Sequence, residues 1–415
     1  MTAQIVVLGG GTGGTLLANR LRHQLSSEDA QITVIDRDDR HLYQPGLLFL
    51  PFGLARPTRL VRSRSAQLRP GVEFREAEVD HVDLEERKVG LRDGGSIPYD
   101  VLVVATGASL APEETDGLSD PSDTVHTFYD LEGAQRLAAA LARFEGGRIV
   151  VNLVDMPIKC PVAPLEFSFL ADWYFTKRKI RDRVDITFVT PLDSAFTKPA
   201  CARALGGLLA ERRIDLITEF NTGSVDGAGR RLVSYDERET GFDLAVVVPL
   251  HTGAPFVGSS PGLGDALGFV PVDQHTLQSK ARPEVFALGD SADLPTSKAG
   301  SAAHFQGEVL ADNIVAYLRD KPLPASYDGH TNCFIETGFN KALLIDFNYE
   351  TEPLPGHFPG RLGLPLLAES RLNHLGKLTF EQIYWHGLLP GRTLPFIGRD
   401  MPERGKRRQT TEGGG

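Results

Sequence analysis

A glycine-rich loop behind the first apolar run is the feature that most constrains how this chain folds. The strand-like run "QIVVLGG" leads directly into the helix-like run "GTGGTLLANRLRHQL". Gly9, Gly11 and Gly14 form G-x-G-x-x-G, in which glycines permit a tight turn and let the backbone approach a pyrophosphate at a helix N-terminus. Asp36 ends the next apolar run, where an acid binds a ribose hydroxyl. The sequence therefore predicts an N-terminal dinucleotide-binding βαβ unit.

Two later segments indicate which dinucleotide binds. The run "VLVVATG" ends in Ala105, Thr106 and Gly107, and "PEVFALGDSADLP" contains Gly289 and Asp290. These segments resemble two further signatures of the flavoproteins that carry two dinucleotide-binding domains, the glutathione-reductase-like superfamily. In that superfamily the acid of the last signature hydrogen-bonds the ribityl chain of FAD, so the resemblance implies FAD as the cofactor.

The order of strand-like and helix-like runs predicts an α/β fold with two Rossmann-like dinucleotide-binding domains and a C-terminal amphipathic membrane-attachment region. The FAD-binding domain is predicted to be discontinuous, with residues 1–109 and 244–325. Residues 110–243 are predicted to form the second Rossmann-like domain, degenerate for NAD(P)H, and residues 326–415 the C-terminal region. The terminal "TTEGGG" is predicted to be frayed.

The second domain lacks the features that nicotinamide binding needs. After its first strand the chain reads "NLVDMPIKCPVAP", with prolines in place of a glycine loop, and the next strand-like run ends in Thr190 and Pro191 rather than an acid or arginine. Electrons are therefore not expected to come from NADH. Cys160 occupies the place at which a reductant would reach the flavin in this fold.

Three cysteines, Cys160, Cys201 and Cys333, are too few for a secreted disulfide scaffold, and no pair has zinc-ligand spacing. No metal site is therefore expected. Cys201 opens a predicted helix and is interpreted as a small buried apolar residue. Cys333 lies in an aromatic-rich segment after the last FAD signature, and with Cys160 it could form a redox disulfide that passes on two electrons by thiol–disulfide exchange.

At these residues the chain resembles the sulfide:quinone oxidoreductases. The matching segments are "HLYQPGLL", "IKCPVAPLE", "LGDSADLPTSKAG" and "NCFIETGFNKALLIDF". The resemblance implies oxidation of hydrogen sulfide to sulfane sulfur or polysulfide at Cys160 and Cys333, with electrons passing through FAD to a membrane quinone. A further cysteine of many members is missing from the stretch that reads "TVHTFYDLE" here. Since no cysteine lies near "HLYQP" either, FAD is expected to be non-covalently bound.

Glu166 follows Cys160 by six residues, and the family has an acid at this place. It is interpreted either as a general base or proton relay, or as an acid that stabilises a helix N-terminus. The expected cofactor-binding residues are Gly9, Gly11, Gly14, Asp36, Pro45, Val79, Ala105, Thr106, Gly107, Gly289, Asp290, Lys298 and Gly300. The expected quinone-binding residues are Phe334, Phe339, Lys341 and Phe347, although any of these aromatics could instead belong to a hydrophobic core.

Residues 358–408 are predicted to contact a membrane surface without spanning it. The segment combines leucines with Tyr384 and Trp385 and ends in "RGKRR", on a chain whose net charge of −10 makes nucleic-acid binding unexpected. The predicted location is the cell inner membrane, with peripheral or monotopic attachment reached from the cytoplasm. The alternative interpretation is a helix pair at a dimer interface, so a homo-oligomer is possible.

Three rival functions share parts of this pattern. A type-II NADH:quinone oxidoreductase also uses FAD and attaches to membranes, but it needs the second glycine loop. A flavocytochrome c-type sulfide dehydrogenase flavoprotein passes its electrons to a haem protein. A non-enzymatic sulfur-binding or redox-sensing flavoprotein is the third.

Overall fold

The computed structural model describes residues 2–393 and 397–407; the predicted frayed end lies outside them. Its strands are β1 (Ala3–Leu8), β2 (Ala30–Asp36), β3 (Arg40–Leu42), β4 (Val61–Ser63), β5 (Val72–Glu76), β6 (Val79–Asp83), β7 (Lys88–Leu91), β8 (Ser96–Pro98), β9 (Val101–Val104), β10 (Ser109–Ala111), β11 (Val125–His126), β12 (Gly147–Leu153), β13 (Val184–Val189), β14 (Ile214–Ile217), β15 (Thr222–Asp226), β16 (Arg231–Ser234), β17 (Glu239–Gly241), β18 (Leu244–Val248), β19 (Leu250–Thr252), β20 (Val270–Pro271), β21 (Val285–Ala287), β22 (Ala292–Asp293), β23 (Thr331–Gly338), β24 (Lys341–Phe347), β25 (Gly356–Phe358) and β26 (Leu364–Leu366). The helices are α1 (Thr12–Gln24), α2 (Pro57–Leu60), α3 (Leu131–Arg143), α4 (Ala163–Lys177), α5 (Pro199–Glu211), α6 (Pro255–Gly258), α7 (Gly300–Tyr317) and α8 (Arg371–Ile383), followed by a π-helical turn at Tyr384–Leu388.

The first sheet contains five parallel strands in the order β21-β9-β1-β2-β5. Its central strands are apolar on both faces: α1 and α7 cover one face, and strands β6 and β7 with α6 cover the other. The glycine loop joins β1 to α1. A Cβ atom on Gly9 would lie 2.6 Å from the carbonyl oxygen of Ala105, and Gly9 has a φ of +93°. Only glycine fits this position, so the loop passes directly over the end of β9.

The second sheet is also parallel, in the order β11-β18-β12-β13-β14. Strand β18 pairs with both β11 and β12, so Leu244–Val248 belongs to this sheet. The predicted domain boundary at residues 243/244 is therefore wrong by one strand. The apolar pattern could not locate the boundary because the run "LAVVVPL" continues from β18 into the first residue of β19. Strand β19 pairs with β10, and this two-stranded sheet links the two domains.

The C-terminal region adds the antiparallel hairpin β23–β24 and helix α8. The buried side chains of α4, of this hairpin and of the π-helical turn share one hydrophobic cluster, which Cys160 and Cys333 also contact. No helix in residues 2–393 or 397–407 is both long and apolar enough to cross a bilayer. The fold thus brings the segment around Cys160 and the strand of Cys333 to one place between the two domains.

Candidate active site

The loop that carries Cys160 connects β12 to α4 and is fixed to the FAD-binding domain. The backbone N–H of Cys160 donates to the carbonyl oxygen of Lys298 at 2.6 Å, just before α7 begins. The Cys160 carbonyl accepts from the hydroxyl of Tyr129 at 3.3 Å and from the N–H of Ala163 at 2.9 Å. Cys160 has a φ of +51°, which non-glycine residues rarely adopt and which is found preferentially at functional sites. Prolines therefore shape a loop that presents a thiol to the N-terminal end of α7.

Cys333 lies on β23 opposite Ile345 of β24. Cys160 and Cys333 are both partly accessible free thiols, whereas Cys201 is fully buried in the first turn of α5. The two accessible thiols are close enough that the charge of Cys333 contributes to raising the pKa of Cys160. The meeting of Cys160 and Cys333 stays a prediction, and this electrostatic interaction is consistent with it.

Glu166 and Lys377 form a buried ion pair beside the two cysteines. Glu166 lies in the first turn of α4, and its side chain is 0% exposed. Its Oε1 accepts from Lys377 Nζ at 2.6 Å and from the backbone N–H of Glu336 at 2.7 Å. Lys377 Nζ also donates to the carbonyl oxygen of Phe334 at 2.9 Å, which joins α8 to the strand of Cys333. The other carboxylate oxygen of Glu166, Oε2, is buried without a hydrogen-bond partner and is free to take a proton.

Burial and charge act against each other on these groups. Burial raises the pKa of Glu166, although Lys377 lowers it, and it raises the pKa of Cys333 to about 12. The pKa of Cys160 is also raised, mainly by burial and then by the charge of Glu166. Lys377 opposes both thiol shifts. Burial lowers its own pKa, but the charges of Glu166 and of the cysteines outweigh burial and raise it. Lys377 is thus the cation on which ionised thiols at this site depend.

Several glycines of the expected FAD site face open space. A Cβ atom on Gly11, Gly107 or Gly300 would have no neighbour within 4 Å. The hydroxyl of Thr106 is buried and has no hydrogen-bond partner, as a group awaiting a ligand would be. These residues fit FAD: the N-terminus of α1 would hold the pyrophosphate, and Thr106 and the start of α7 would contact the flavin. Pro45 and Val79 lie in a short 3₁₀ helix and at the start of β6, and their cofactor contacts stay predictions.

The acids of the expected FAD site are held by the protein itself. Asp36 accepts from the backbone N–H of Gly10 at 2.8 Å and forms an ion pair with Arg64. The Nε atom of Arg64 is buried without a partner, so this arginine joins the candidate cofactor contacts. Burial raises the pKa of Asp290, which Lys298 and Lys159 partly offset.

Lys298 and Gly289 stabilise the loop that contains Asp290. Lys298 Nζ donates to the carbonyl oxygens of Asp290 and Ala292, at 2.7 and 3.1 Å, so its ammonium group stabilises the loop after Gly289. The backbone N–H of Gly289 donates to Gln306 Oε1 at 2.6 Å, and Gly289 has a φ of +68°. Both residues shape the loop of Asp290 toward the expected ribityl chain.

The four expected quinone-binding residues do not lie together. Phe334 packs against α8, where a Cβ atom on Gly376 would lie 2.7 Å from its ring. Phe339 lies at the tip of the hairpin, with Arg212 over its ring at 4.7 Å, and Lys341 pairs with Glu369. The tip is six residues from Cys333, about 20 Å along a strand.

Phe347 is 3% exposed and packs in the core. Phe334, by contrast, packs on Gly376 of the helix that carries Lys377.

The predicted membrane-contact segment divides into a buried and an exposed part. Tyr384 and Trp385 are each 2% exposed. The hydroxyl of Tyr384 lies 2.8 Å from Thr12 Oγ1 and 2.7 Å from His41 Nε2, and Arg62 covers the Trp385 ring. The expectation that these two aromatics face lipid is therefore wrong, because they pack on the glycine loop and on β3 and β4.

Other predicted membrane-facing residues are buried too, namely Leu366, Leu388 and Leu389. By contrast, Leu372, Leu375 and Leu378 of α8 are 59%, 57% and 52% exposed. Residues 394–396 and 408 of the segment lie outside the described residues. Leu362, in the turn before β26, is fully exposed as well. The exposed leucines of the segment thus lie on α8 and in this turn.

A family model for pyridine nucleotide-disulphide oxidoreductases matches residues 3–152. The mitochondrial sulfide:quinone oxidoreductase of Mus musculus is 29% identical over 366 residues, which cover 85% of this chain and 79% of that protein. Its counterpart in Schizosaccharomyces pombe is 29% identical over 411 residues, covering 92% and 89%. The solved sulfide:quinone oxidoreductase of the hyperthermophilic bacterium Aquifex aeolicus has a TM-score of 0.80 at 21% identity, covering 94% of this chain and 92% of that chain.

This chain is a homologue of the sulfide:quinone oxidoreductases. The family resemblance and the α/β fold predicted from the sequence are confirmed. This chain is an FAD-dependent oxidoreductase, as the segments "VLVVATG" and "PEVFALGDSADLP" predicted.

Sequence reasoning missed Lys377, Tyr129 and Arg64 in this homologue. Lys377 was hidden in a segment interpreted as membrane-facing. Its spacing of four residues from Asn373 and seven from Tyr384, both buried, places it on the inward face of α8 and could have identified it. Tyr129 and Arg64 lie in irregular segments with no periodic signal, and only the folded chain brings them to the site.

Proposed function

We propose that this oxidoreductase oxidises hydrogen sulfide at Cys160 and Cys333 to sulfane sulfur or polysulfide and passes the electrons through FAD to a quinone. The observation that carries the proposal is the convergence of two accessible thiols with the Glu166–Lys377 pair on a loop fixed to the N-terminal end of α7. The names of the relatives support the same substrates.

The sulfur step opens a disulfide, or its polysulfide-bridged form, between Cys160 and Cys333. The hydrosulfide ion attacks one sulfur, the S–S bond breaks, one cysteine keeps the persulfide and the other leaves as a thiolate. Lys377 stabilises the thiolate, and Glu166 Oε2 takes the proton that hydrogen sulfide loses. FAD, when bound, supplies the acceptor for the two electrons.

The quinone is proposed to bind beside Phe334, on the side of α8 that carries Gly376 and Lys377. Gly376 has no side chain and so lets the Phe334 ring pack closely on α8. Lys377, which donates to the Phe334 carbonyl oxygen, offers a cation to a reduced quinone oxygen. Phe339, Lys341 and Phe347 contact other residues elsewhere in the protein. Phe334 is therefore the main aromatic residue of the proposed quinone site.

We further propose that α8 attaches the protein peripherally to the cytoplasmic face of the cell inner membrane. The three exposed leucines of α8 form one apolar stripe, and three arginines follow in residues 399–407. Such a helix lies in the interface without spanning it. The same stripe would also suit a homo-oligomer, which lipid binding by the isolated monomer would distinguish.

Anaerobic titration of the FAD-loaded protein with sulfide tests the proposal. Sulfide should bleach the flavin of the wild-type protein and of Cys201→Ala, but not of Cys160→Ala or Cys333→Ala. A short-chain quinone should then restore the oxidised spectrum. Full bleaching in either of the last two variants would contradict the proposed cysteine pair. Bleaching by NADH would favour an NADH:quinone oxidoreductase, and reoxidation by cytochrome c rather than quinone would favour a flavocytochrome c-type enzyme.

A further inference from the structure

His251 is a buried histidine that the proposed sulfur step does not use. It lies on β19, opposite Leu110 of β10, and is 2% exposed. Its Nδ1 lies 2.9 Å from the carbonyl oxygen of Pro249, so Nδ1 carries the hydrogen and donates it. Nε2 therefore presents a lone pair, and this buried atom has no hydrogen-bond partner among the described residues. A buried acceptor without a donor needs an explanation.

The unpaired Nε2 atom of His251 lies near the loop of Cys160. The His251 ring meets the ring of Tyr129 edge-on, with centroids 5.4 Å apart. The Tyr129 hydroxyl in turn donates to the carbonyl oxygen of Cys160. Lys159 Nζ lies 5.9 Å from the centroid of the same Tyr129 ring. Tyr129 thus connects His251 and Lys159 to the reactive loop.

Among the described residues, the ammonium group of Lys159 makes no hydrogen bond. Burial lowers the pKa of Lys159, and the charges of Asp290 and Asp130 partly offset this shift. Within residues 2–393 and 397–407, no carboxylate or carbonyl oxygen lies within hydrogen-bonding distance of its Nζ, whereas Lys298 Nζ is satisfied by two carbonyls. Burial, followed by the charge of Lys159, lowers the pKa of His251 to about 3. The imidazole therefore stays neutral at neutral pH, and its role is that of an acceptor rather than of a base.

We propose that Lys159 and His251 form a subsite for the hydrosulfide ion beside Cys160. The hydrosulfide ion has one negative charge and one S–H group, which match the Lys159 ammonium group, whose hydrogens are unbonded, and the free lone pair of His251 Nε2. The inference rests on the proposed oxidation of sulfide and adds how the substrate is recognised. His251 is a positioning residue, since the bond-making sulfur belongs to Cys160 or Cys333.

The subsite explains how hydrosulfide can be preferred over other thiolates. An alkylthiolate has the negative charge but no S–H group, so it would leave His251 Nε2 buried and unpaired. A site built to hydrogen-bond its substrate discriminates strongly against analogues that lack the group. Lys159 should therefore contribute to the binding of every sulfur anion, and His251 should contribute to the binding of hydrosulfide alone.

Rapid-mixing measurements of anaerobic flavin reduction, with sulfide and separately with methanethiolate, test the subsite. The asparagine of His251→Asn retains a donor for Pro249 but has no atom at the place of Nε2. The His251→Asn variant should raise the sulfide concentration that gives the half-maximal rate about tenfold or more, with little change in the limiting rate. The methanethiolate concentration that gives the half-maximal rate should not change. His251→Gln, which returns an acceptor near that place, should recover most of the affinity. Lys159→Met should weaken both anions, and Lys159→Arg should not.

His126→Asn, the same change on β11, is the matched control and should leave both half-saturation values unchanged. An unchanged sulfide value in His251→Asn, with wild-type FAD content and far-UV circular dichroism, would overturn the subsite. An equal loss for methanethiolate would overturn the selective role of His251. Absence of bleaching by sulfide in the wild-type protein would instead overturn the proposed function itself, so the two failures are distinguishable.

Discussion

Replacing Lys377 by methionine should strongly destabilise the protein because it leaves the carboxylate of Glu166 buried without its cation. The Glu166 side chain is 0% exposed and that of Lys377 is 12% exposed, with 2.6 Å between Nζ and Oε1. Methionine keeps the aliphatic stem, so the substitution removes mainly the charge and its two hydrogen bonds. Breaking a buried ion pair by removing one partner costs about 3–5 kcal/mol.

The double variant with Glu166→Gln and Lys377→Met should recover much of this loss. Neither charge then stays buried, and the glutamine oxygen can still accept from the N–H of Glu336. The remaining loss of hydrogen bonds should destabilise by about 1–2 kcal/mol. The two substitutions should therefore be coupled by about 2 kcal/mol or more, as expected for side chains in direct contact.

Urea unfolding of the FAD-loaded proteins at neutral pH, followed by far-UV circular dichroism, measures these differences. Lys377→Met should unfold at a lower urea concentration than the double variant. Lys177→Met, an outward-facing lysine at the end of α4, is the control and should change the midpoint little. If the single and double variants unfold at the same urea concentration, Glu166 is not held as a carboxylate by Lys377, and the assignment of its free oxygen as a proton acceptor falls with it.

Two further perturbations follow from the buried histidines and from the exposed face of α8. Burial lowers the pKa of His41 to about 4 and that of His304 to about 3, so between these values and pH 6.5 the unfolded chain binds more protons. The free energy of unfolding should therefore fall by about 3 kcal/mol or more as the pH drops from 6.5 towards 4. His304→Leu should reduce that fall. The same pH dependence of the unfolding free energy in wild type and variant would contradict this prediction. Leu375→Glu should weaken cosedimentation with anionic lipid vesicles about tenfold. Leu267→Glu, at an exposed leucine of the FAD-binding domain, is the control and should not weaken it. Equal losses of vesicle binding in both variants would argue against α8 as the attachment site.

The glycine loop shows what sequence patterns can establish. Its spacing and the apolar runs beside it are local, so they predicted that α1 would begin at this loop and that Asp36 would end β2. Cys160, Cys333 and Glu166 could be selected because the prolines around Cys160 exclude a phosphate loop and because the segments resemble a family. The meeting of β23 with the β12–α4 loop, in contrast, depends on contacts 170 residues apart in sequence, such as that between Glu336 and Glu166.

The C-terminal helix shows where patterns stop being informative. A period of 3.6 residues reveals which side chains share a face but not what covers that face. Tyr384 and Trp385 have the composition of a membrane interface, yet the FAD-binding domain covers them, whereas Leu372, Leu375 and Leu378 remain uncovered. Because Lys377 lies on the inward face of the same helix, α8 presents its apolar stripe outward while its lysine contacts the carboxylate beside the cysteines. A shift of α8 would therefore move the cation that stabilises ionised thiols, and this physical link between the exposed stripe and the two cysteines has no signature in the sequence.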